Sequence, residues 1–325
     1  MDIIYFVAQQ SFIFMMPLLI VALGGMFSER AGIVNIALEG KMLMGAFVGI
    51  FFINIVQNSS FPLSGQWLLL VALVIAALTG GIVAIFHAYA SISLNANQII
   101  SGVAINMFAP AFAIYVARFY GETQQVVFNQ EFIIDVVPFL GDIPVIGPLF
   151  FRGAFMTTYL GILILIISAF VLYKTKFGLR LRACGEHPQA ADSVGVSVFK
   201  IRYAGVIISG ILAGMGGLVL IISTSSVFNA TVSGYGFLAL AVLIFGSWRP
   251  GRILLAALFF GLLQAVTSNL VARHSGMPSF LINLEIPTQI YRMLPYIATL
   301  IVLAFTSKRS QAPKAAGTPY DKGTR

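Results

Sequence analysis

The sequence predicts an all-α, polytopic transmembrane helical bundle of about nine spans, and three observations predict it. Hydrophobic residues make up 59% of the 325 and charged residues 9%, against roughly 25% charged in a soluble domain, so the solvent for most of this chain is a bilayer. Apolar runs on the order of 20 residues, enough to cross hydrocarbon as a helix, recur along it. Lys and Arg gather in a few stretches between those runs, as they do on the cytoplasmic side of membrane proteins. With so few charges in all, the net charge of +8 reports loop orientation, and no nucleic acid polymer is expected as a partner.

In chain order the spans are expected at 6–27, 36–56, 67–87, 98–118, 154–174, 203–223, 252–272 and 289–306, with a shorter run at 235–247 as the ninth. No Lys or Arg precedes Arg30, so the first span lacks the basic start of a signal peptide and is expected to remain in the mature protein. Residues 1–306 then form one transmembrane domain. The Ala/Pro/Gly/Lys-rich end, 307–325, is predicted to be a disordered cytoplasmic tail.

Basic side chains cluster at Lys174, Lys176, Arg180, Arg182, Lys200 and Arg202, at Arg249 and Arg252, and at Lys308, Arg309, Lys314, Lys322 and Arg325. These stretches are assigned to the cytoplasm. The connection from Phe119 to Gly153 carries Glu122, Glu131, Asp135 and Asp142 against Arg152 alone, which suits the other side. Nine alternating crossings satisfy all of this with the N-terminus outside and the C-terminus cytoplasmic.

Two regions resist a plain hydropathy reading. Ser28 to Lys41 places Gly, Asn35, Glu39 and other charges where the second crossing should begin, so part of it is expected to be broken helix. Such backbone survives at membrane depth only when buried in protein or lining a water-filled cavity. Ser91 to Gly102 carries Asn95, Asn97 and Gln98, which would be costly facing lipid. Asn35, Glu39, Asn97, Gln98, Asn106 and Phe108 are therefore candidates for a substrate path. Phe108, Phe112, Tyr115 and Phe119 recur at spacings that make one aromatic stripe on a helix, along which a flat base or sugar face could slide. The competing reading of the amides is a cytoplasmic turn and helix cap, and of the stripe a face toward lipid or neighbouring helices.

Packing signals are abundant. Gly45-x-x-x-Gly49, Gly210-x-x-x-Gly214 and the row Ser209, Ala213, Gly217 allow close helix approach. No internal repeat is visible.

Within the basic loop 175–202, Pro188 suits a first helical position and Gly195 a left-handed stop, leaving Gln189 to Val194 as about two turns. A helix so short is marginal in water unless something sits on it. Small Ala190 and Ala191 would let another protein's groove approach, with Arg180, Arg182, Glu186, His187 and Asp192 fixing register by rim contacts and Gly185 beside them. An ordinary basic loop is the bland alternative.

No G-x-x-x-x-G-K-[ST] run is present to cradle ATP. His87, His187 and His274 fall in separate segments and Cys184 is the single cysteine, so no metal site, disulfide or catalytic residue is indicated.

The loop 175–202 resembles the coupling loop of ATP-binding-cassette (ABC) importer permeases. SERAGIVNIALEGKMLMGAF at Ser28 to Phe47, SGILAGMGG at Ser209 to Gly217 and GYGFLALAVLIFGSWRPGR at Gly234 to Arg252 look like permeases of the branched-chain amino acid and ribose importer group, closest to its simple-sugar and nucleoside branch. That resemblance implies a non-enzymatic permease subunit of the inner membrane. Its implied partners are an ATP-binding subunit that holds ATP and Mg, a second homologous permease, an extracellular substrate-binding lipoprotein and membrane lipid. Nucleosides, simple sugars and flavin-type vitamins are all compatible cargoes. The rival classes are a secondary transporter with a midplane site, for which Glu39 is the strongest buried carboxylate, and a scaffold or channel.

Overall fold

The computed structural model describes residues 2–60, 62–121, 123–144, 146–271, 287–306 and 312–321. Glu122, His274, Lys308, Arg309, Lys322 and Arg325 lie outside the described residues. Four helices come first: α1 (Asp2–Arg30), α2 (Leu38–Gln57), α3 (Gly65–Ala88) and α4 (Gln98–Gly121). They are followed by strands β1 (Val126–Val127) and β2 (Ile133–Val136), the single turn α5 (Ile146–Phe150) and β3 (Arg152–Phe155). Next come α6 (Met156–Lys174), α7 (Lys176–Glu186), α8 (Pro188–Ser193), α9 (Val198–Thr224) and β4 (Val227–Phe228). The described chain continues with α10 (Tyr235–Phe245), α11 (Pro250–Val271) and a last helix, α12 (Thr288–Thr306).

Helices α1 and α9 form the axis. Leu18 to Leu23 of α1 are wholly buried, which is the signature of a helix surrounded by others. Around α9 pack α1, α2 and α3. The small-residue rows explain how: Gly210 and Gly214 of α9 lie against Gly80 of α3, Gly45 of α2 meets Gly214, and Gly217 meets the backbone of Met42. With no Cβ between them the axes approach closely enough for dispersion contacts, the main attraction available between helices already in hydrocarbon. Outward-facing Trp67, Val74, Leu78, Ile82 and Phe86 make one side of α3 apolar and exposed, as a lipid-facing helix requires.

Among the described residues seven helices are long and apolar enough to cross a membrane: α1, α2, α3 with its π-helical extension to Ser93, α4, α6, α9 and α11. The expected ninth run, 235–247, folds as α10 of 11 residues. At about 1.5 Å per residue it covers roughly half of a 30 Å hydrocarbon core. Helix α12 takes up the last expected run.

The two ends of the bundle differ. One carries the antiparallel pairs β1–β4 (Val126 opposite Phe228) and β2–β3 (Ile133 opposite Phe155), together with the start of α1, where the Gln9 amide donates to the Pro148 and Arg152 carbonyls. The other carries the C-terminal end of α1, α7, α8 and residues 312–321. That last segment corrects the expectation of a disordered tail. Pro313, Ala315 and Tyr320 are buried, and Ala315 N–H donates to Gly185 O at 2.9 Å. Composition suggested disorder because Ala, Gly and Lys bury little by themselves, but the cleft between α7, α8 and α9 supplies the missing contacts.

Candidate functional site

The break between α1 and α2 is built as expected, and side chains from distant helices satisfy its backbone. Gln98 Oε1 accepts from Val34 N–H at 2.8 Å, and His87, hydrogen-bonded to Ser101 Oγ at 3.0 Å, faces the Val34 carbonyl at 3.3 Å. Asn106 clamps the start of α2, accepting from Gly40 N–H at 2.8 Å and donating to Ile36 O at 2.9 Å. Fully buried Asn35 accepts from Lys41 Nζ and donates to Ser209 Oγ, both at 2.7 Å. Glu29 accepts from the Trp248 indole at 2.6 Å, and Arg30 bonds the Trp248 carbonyl and pairs with Glu186 at 3.6 Å. Buried backbone outside a helix must find such partners.

Glu39 has a specific task. Its two carboxylate oxygens accept from Gly234 N–H at 2.8 Å and Gly236 N–H at 2.6 Å, capping the N-terminus of α10. Anionic acceptors suit the positive end of a helix. Gly236 has no room for a Cβ because the Glu39 backbone occupies that space.

Before α10 the chain runs through 225–234 without a helix. It starts at the strand-paired end and reaches inward: the Phe228 ring sits 6.0 Å from that of Phe47, midway along α2, and Gly234 meets Glu39 in the first turn of α2. Ala230, Ser233 and Gly234 take positive φ. Segment and half-helix together make one broken crossing, and beside it opens a cavity of about 280 Å³ lined by Phe14, Leu220, Thr224, Asn229, Thr231, Ser233 and Tyr235, among others. Irregular backbone beside a cavity of mixed apolar and polar lining can offer hydrogen-bonding groups to a solute. The sequence reading missed this element. Its signal was the polar run Ser223 to Gly234 in front of an apolar run too short to cross.

The sequence-predicted path residues therefore divide. Asn35, Glu39, Gln98 and Asn106 converge on the α1–α2 break, whereas Asn97 is exposed and caps α4 by accepting from Ile99 and Ile100 N–H. The aromatic stripe does lie on one face of α4. Phe108 stacks on Phe112 at 5.5 Å and Tyr115 on Phe119 at 6.4 Å, with Phe108, Tyr115 and Phe119 exposed.

At the opposite end of α10 sits the two-helix unit α7–α8. Pro188 opens α8 and Gly195, at φ +83°, follows its end in the left-handed region. Of the alanine pair, Ala191 points into the bundle and only Ala190 is exposed, a correction to the expectation that both face a partner. Val194, 77% exposed, joins Ala190, Gln189 and Ser193 on the outer surface. Gly185 is buried against the Arg30 carbonyl, while Glu186 is half-buried and His187 exposed.

Residues 7–303 match the family model described as branched-chain amino acid transport system / permease component. The chain belongs to that permease family. Among curated relatives, the guanosine ABC transporter permease protein NupQ of Bacillus subtilis (strain 168) is 42% identical over 326 residues, covering 100% of this chain and 99% of that protein. The nucleoside ABC transporter permease protein NupC of Lactococcus lactis subsp. cremoris is 39% identical, with 95% of each chain covered. A putative glucose ABC transporter permease protein, TsgC13 of Haloferax volcanii, is 33% identical over 92% of this chain and 91% of its own. No solved structure matches. This permease is thus a multi-pass membrane protein of an ABC transporter, and its relatives are transporter subunits, in line with a chain that does no chemistry of its own.

Proposed function

We propose that this chain is the permease subunit of a nucleoside importer. The observation that carries the reading is the full-length similarity to guanosine and nucleoside permeases, which exceeds that to the glucose permease. The broken crossing 225–245 and its cavity supply hydroxyls and an amide, the groups a nucleoside needs to replace lost water. ATP and Mg are held by a separate ATP-binding subunit, which docks on the outer face of α8. A second permease completes the pore, and an extracellular binding lipoprotein delivers the substrate.

Closure of the ATP-binding subunits pushes on Pro188–Ser193, and the bundle converts that push into alternate opening of its two faces. Expression with the cognate ATP-binding and binding-protein subunits should give ATP-dependent uptake of labelled guanosine, reduced by unlabelled nucleosides and not by glucose. Competition by glucose alone would assign the sugar reading instead. In that system Gly195→Val should cut uptake several-fold while membrane levels hold, because a β-branched residue at φ +83° is strained by about 1–2 kcal/mol. Unchanged uptake would remove α8 from the coupling role.

The orientation proposed is N-terminus outside and C-terminus cytoplasmic, in the inner membrane, from the Lys and Arg distribution. A cysteine placed at Asp135 should react with an impermeant thiol reagent added to intact cells, and one at Lys314 should not. Cys184 is buried and contributes little background. The reverse pattern would invert the topology.

A further inference from the structure

We propose that residues 312–321 are a latch that holds the docking helix α8 in register with the bundle, with Arg202 and Tyr320 as its positioning residues. The coupling role it assigns rests on the reading of α8 as the surface that receives the ATP-binding subunit.

A six-residue helix cannot transmit a push unless it is braced. Within α8 only Pro188 and Ala191 are buried, and the loop beyond it leaves through Gly195, whose Cβ position is open space. The C-terminal segment supplies the brace by crossing three elements in succession. Ala315 N–H donates to Gly185 O at 2.9 Å, near the end of α7. Gly317 N–H donates to Gly32 O at 3.2 Å, on the turn after α1. Thr318 O accepts from Arg202 Nη1 at 3.1 Å, in the first turns of α9.

Tyr320 then fills the angle between α8 and α9. It is 4% exposed and clusters with Cys184, Ala191 and Val198. Its ring lies 5.6 Å from that of Phe199, and Asp192 of α8 lies close to its hydroxyl. One tail residue thereby touches α7, α8 and α9 at once.

Arg202 gives the second, independent argument. It is 1% exposed, yet among the described residues no carboxylate pairs with it, and its Nε and Nη2 have no hydrogen-bond partner. A guanidinium is rarely buried on such terms. What it does have comes from the tail: the Thr318 carbonyl and the face of Tyr320, 5.8 Å from its Cζ. Gly32, at φ +94°, shapes the floor of the same cleft, since a Cβ there would meet Arg202 Nη2 at 3.0 Å and Ala315 O at 3.4 Å. A buried charge that is costly without the tail is best explained as the tail's receptor.

The lone cysteine makes this testable without engineering a probe. Cys184 is fully buried beside the tail, and burial pushes its thiol up to about 11. At pH 8 its thiolate is then about 0.1% of the total, against roughly a quarter for an ordinary cysteine. Maleimide labelling would be timed on the detergent-solubilised complex with its ATP-binding subunit, for the full chain and for a chain ending at residue 310. The truncated chain should label at least about 100-fold faster. A synthetic 311–325 peptide added in trans should slow it again, which also shows that the shortened protein is folded, and Tyr320→Phe should stay slow because it keeps the ring.

In proteoliposomes the truncated complex should still hydrolyse ATP but move several-fold less nucleoside per ATP. Equal labelling of both chains overturns the latch. Fast labelling with unchanged transport per ATP overturns its role in coupling. Absence of nucleoside uptake by the full chain, with the labelling contrast and peptide rescue intact, would count against the substrate reading while supporting the latch.

Discussion

Gly214→Val is expected to remove the folded permease from the membrane. At this position three helices meet: a Cβ on Gly214 would fall onto the Ala76 carbonyl oxygen and come within 3.0 Å of Gly80 Cα, and Gly45 of α2 has its own Cβ space filled by Gly214. Real Cβ contacts do not tolerate such approaches to backbone, which cannot rotate away as a side chain can. Relief would require α2, α3 and α9 to separate, and loosening the whole central seam costs more than the about 1–3 kcal/mol of an ordinary overpacked core. Against a total stability of about 5–15 kcal/mol, that is enough to prevent accumulation. Size-exclusion chromatography of a fluorescent fusion should show loss of the monodisperse peak. Gly121→Ala, where nothing lies within 4 Å of the new Cβ, should leave it unchanged. A monodisperse Gly214→Val protein at normal yield would mean that the seam is looser than described.

The next largest effect is expected at Glu39. Glu39→Ala leaves the Gly234 and Gly236 N–H groups at the start of α10 without their acceptors, and two charge-assisted bonds of about 1.5–3 kcal/mol each are lost. The melting temperature should fall sharply and uptake should fall with it, since α10 and the preceding 225–234 segment shape the cavity. Glu39→Gln keeps one acceptor oxygen and should retain partial stability and partial uptake. A stable Glu39→Gln protein with no transport at all would show that the carboxylate does more than cap α10. Wild-type melting of Glu39→Ala would show that the cap is dispensable.

Membrane class, most crossings and the short helix α8 with its left-handed stop could be read from the chain because each depends on local sequence. Apolar length, the Lys and Arg distribution, a Pro before a short helical run and a Gly after it are properties of neighbours. Small-residue spacing likewise announced the α9 seam, though not which helices would meet it. Gly80 of α3, central to that contact, belongs to no pattern noted in the sequence.

Other features were decided only by folding. Glu39 and Gly234 are 195 residues apart, as Arg202 and Thr318 are 116 apart, and no local period signals either pairing. Asn35 and Asn106 read as path candidates because amides in a span are costly facing lipid. Once the α1–α2 break is buried, Asn106 is the partner its backbone requires and Asn35 joins the side chains of Lys41 and Ser209. Asn97 is a helix cap, a role that depends on where α4 begins. The tail composition lacked the apolar residues to make a core of its own, and only the tertiary cleft around Cys184, Ala191 and Val198 gives Tyr320 a place to bury. The sequence by itself therefore determined that this is a membrane permease and where most of its spans run, because hydrophobic length and charge are summed locally. Tertiary structure decided which polar groups hold the bundle and which face a cavity, because a buried hydrogen bond needs both of its partners and the chain brings them from far apart.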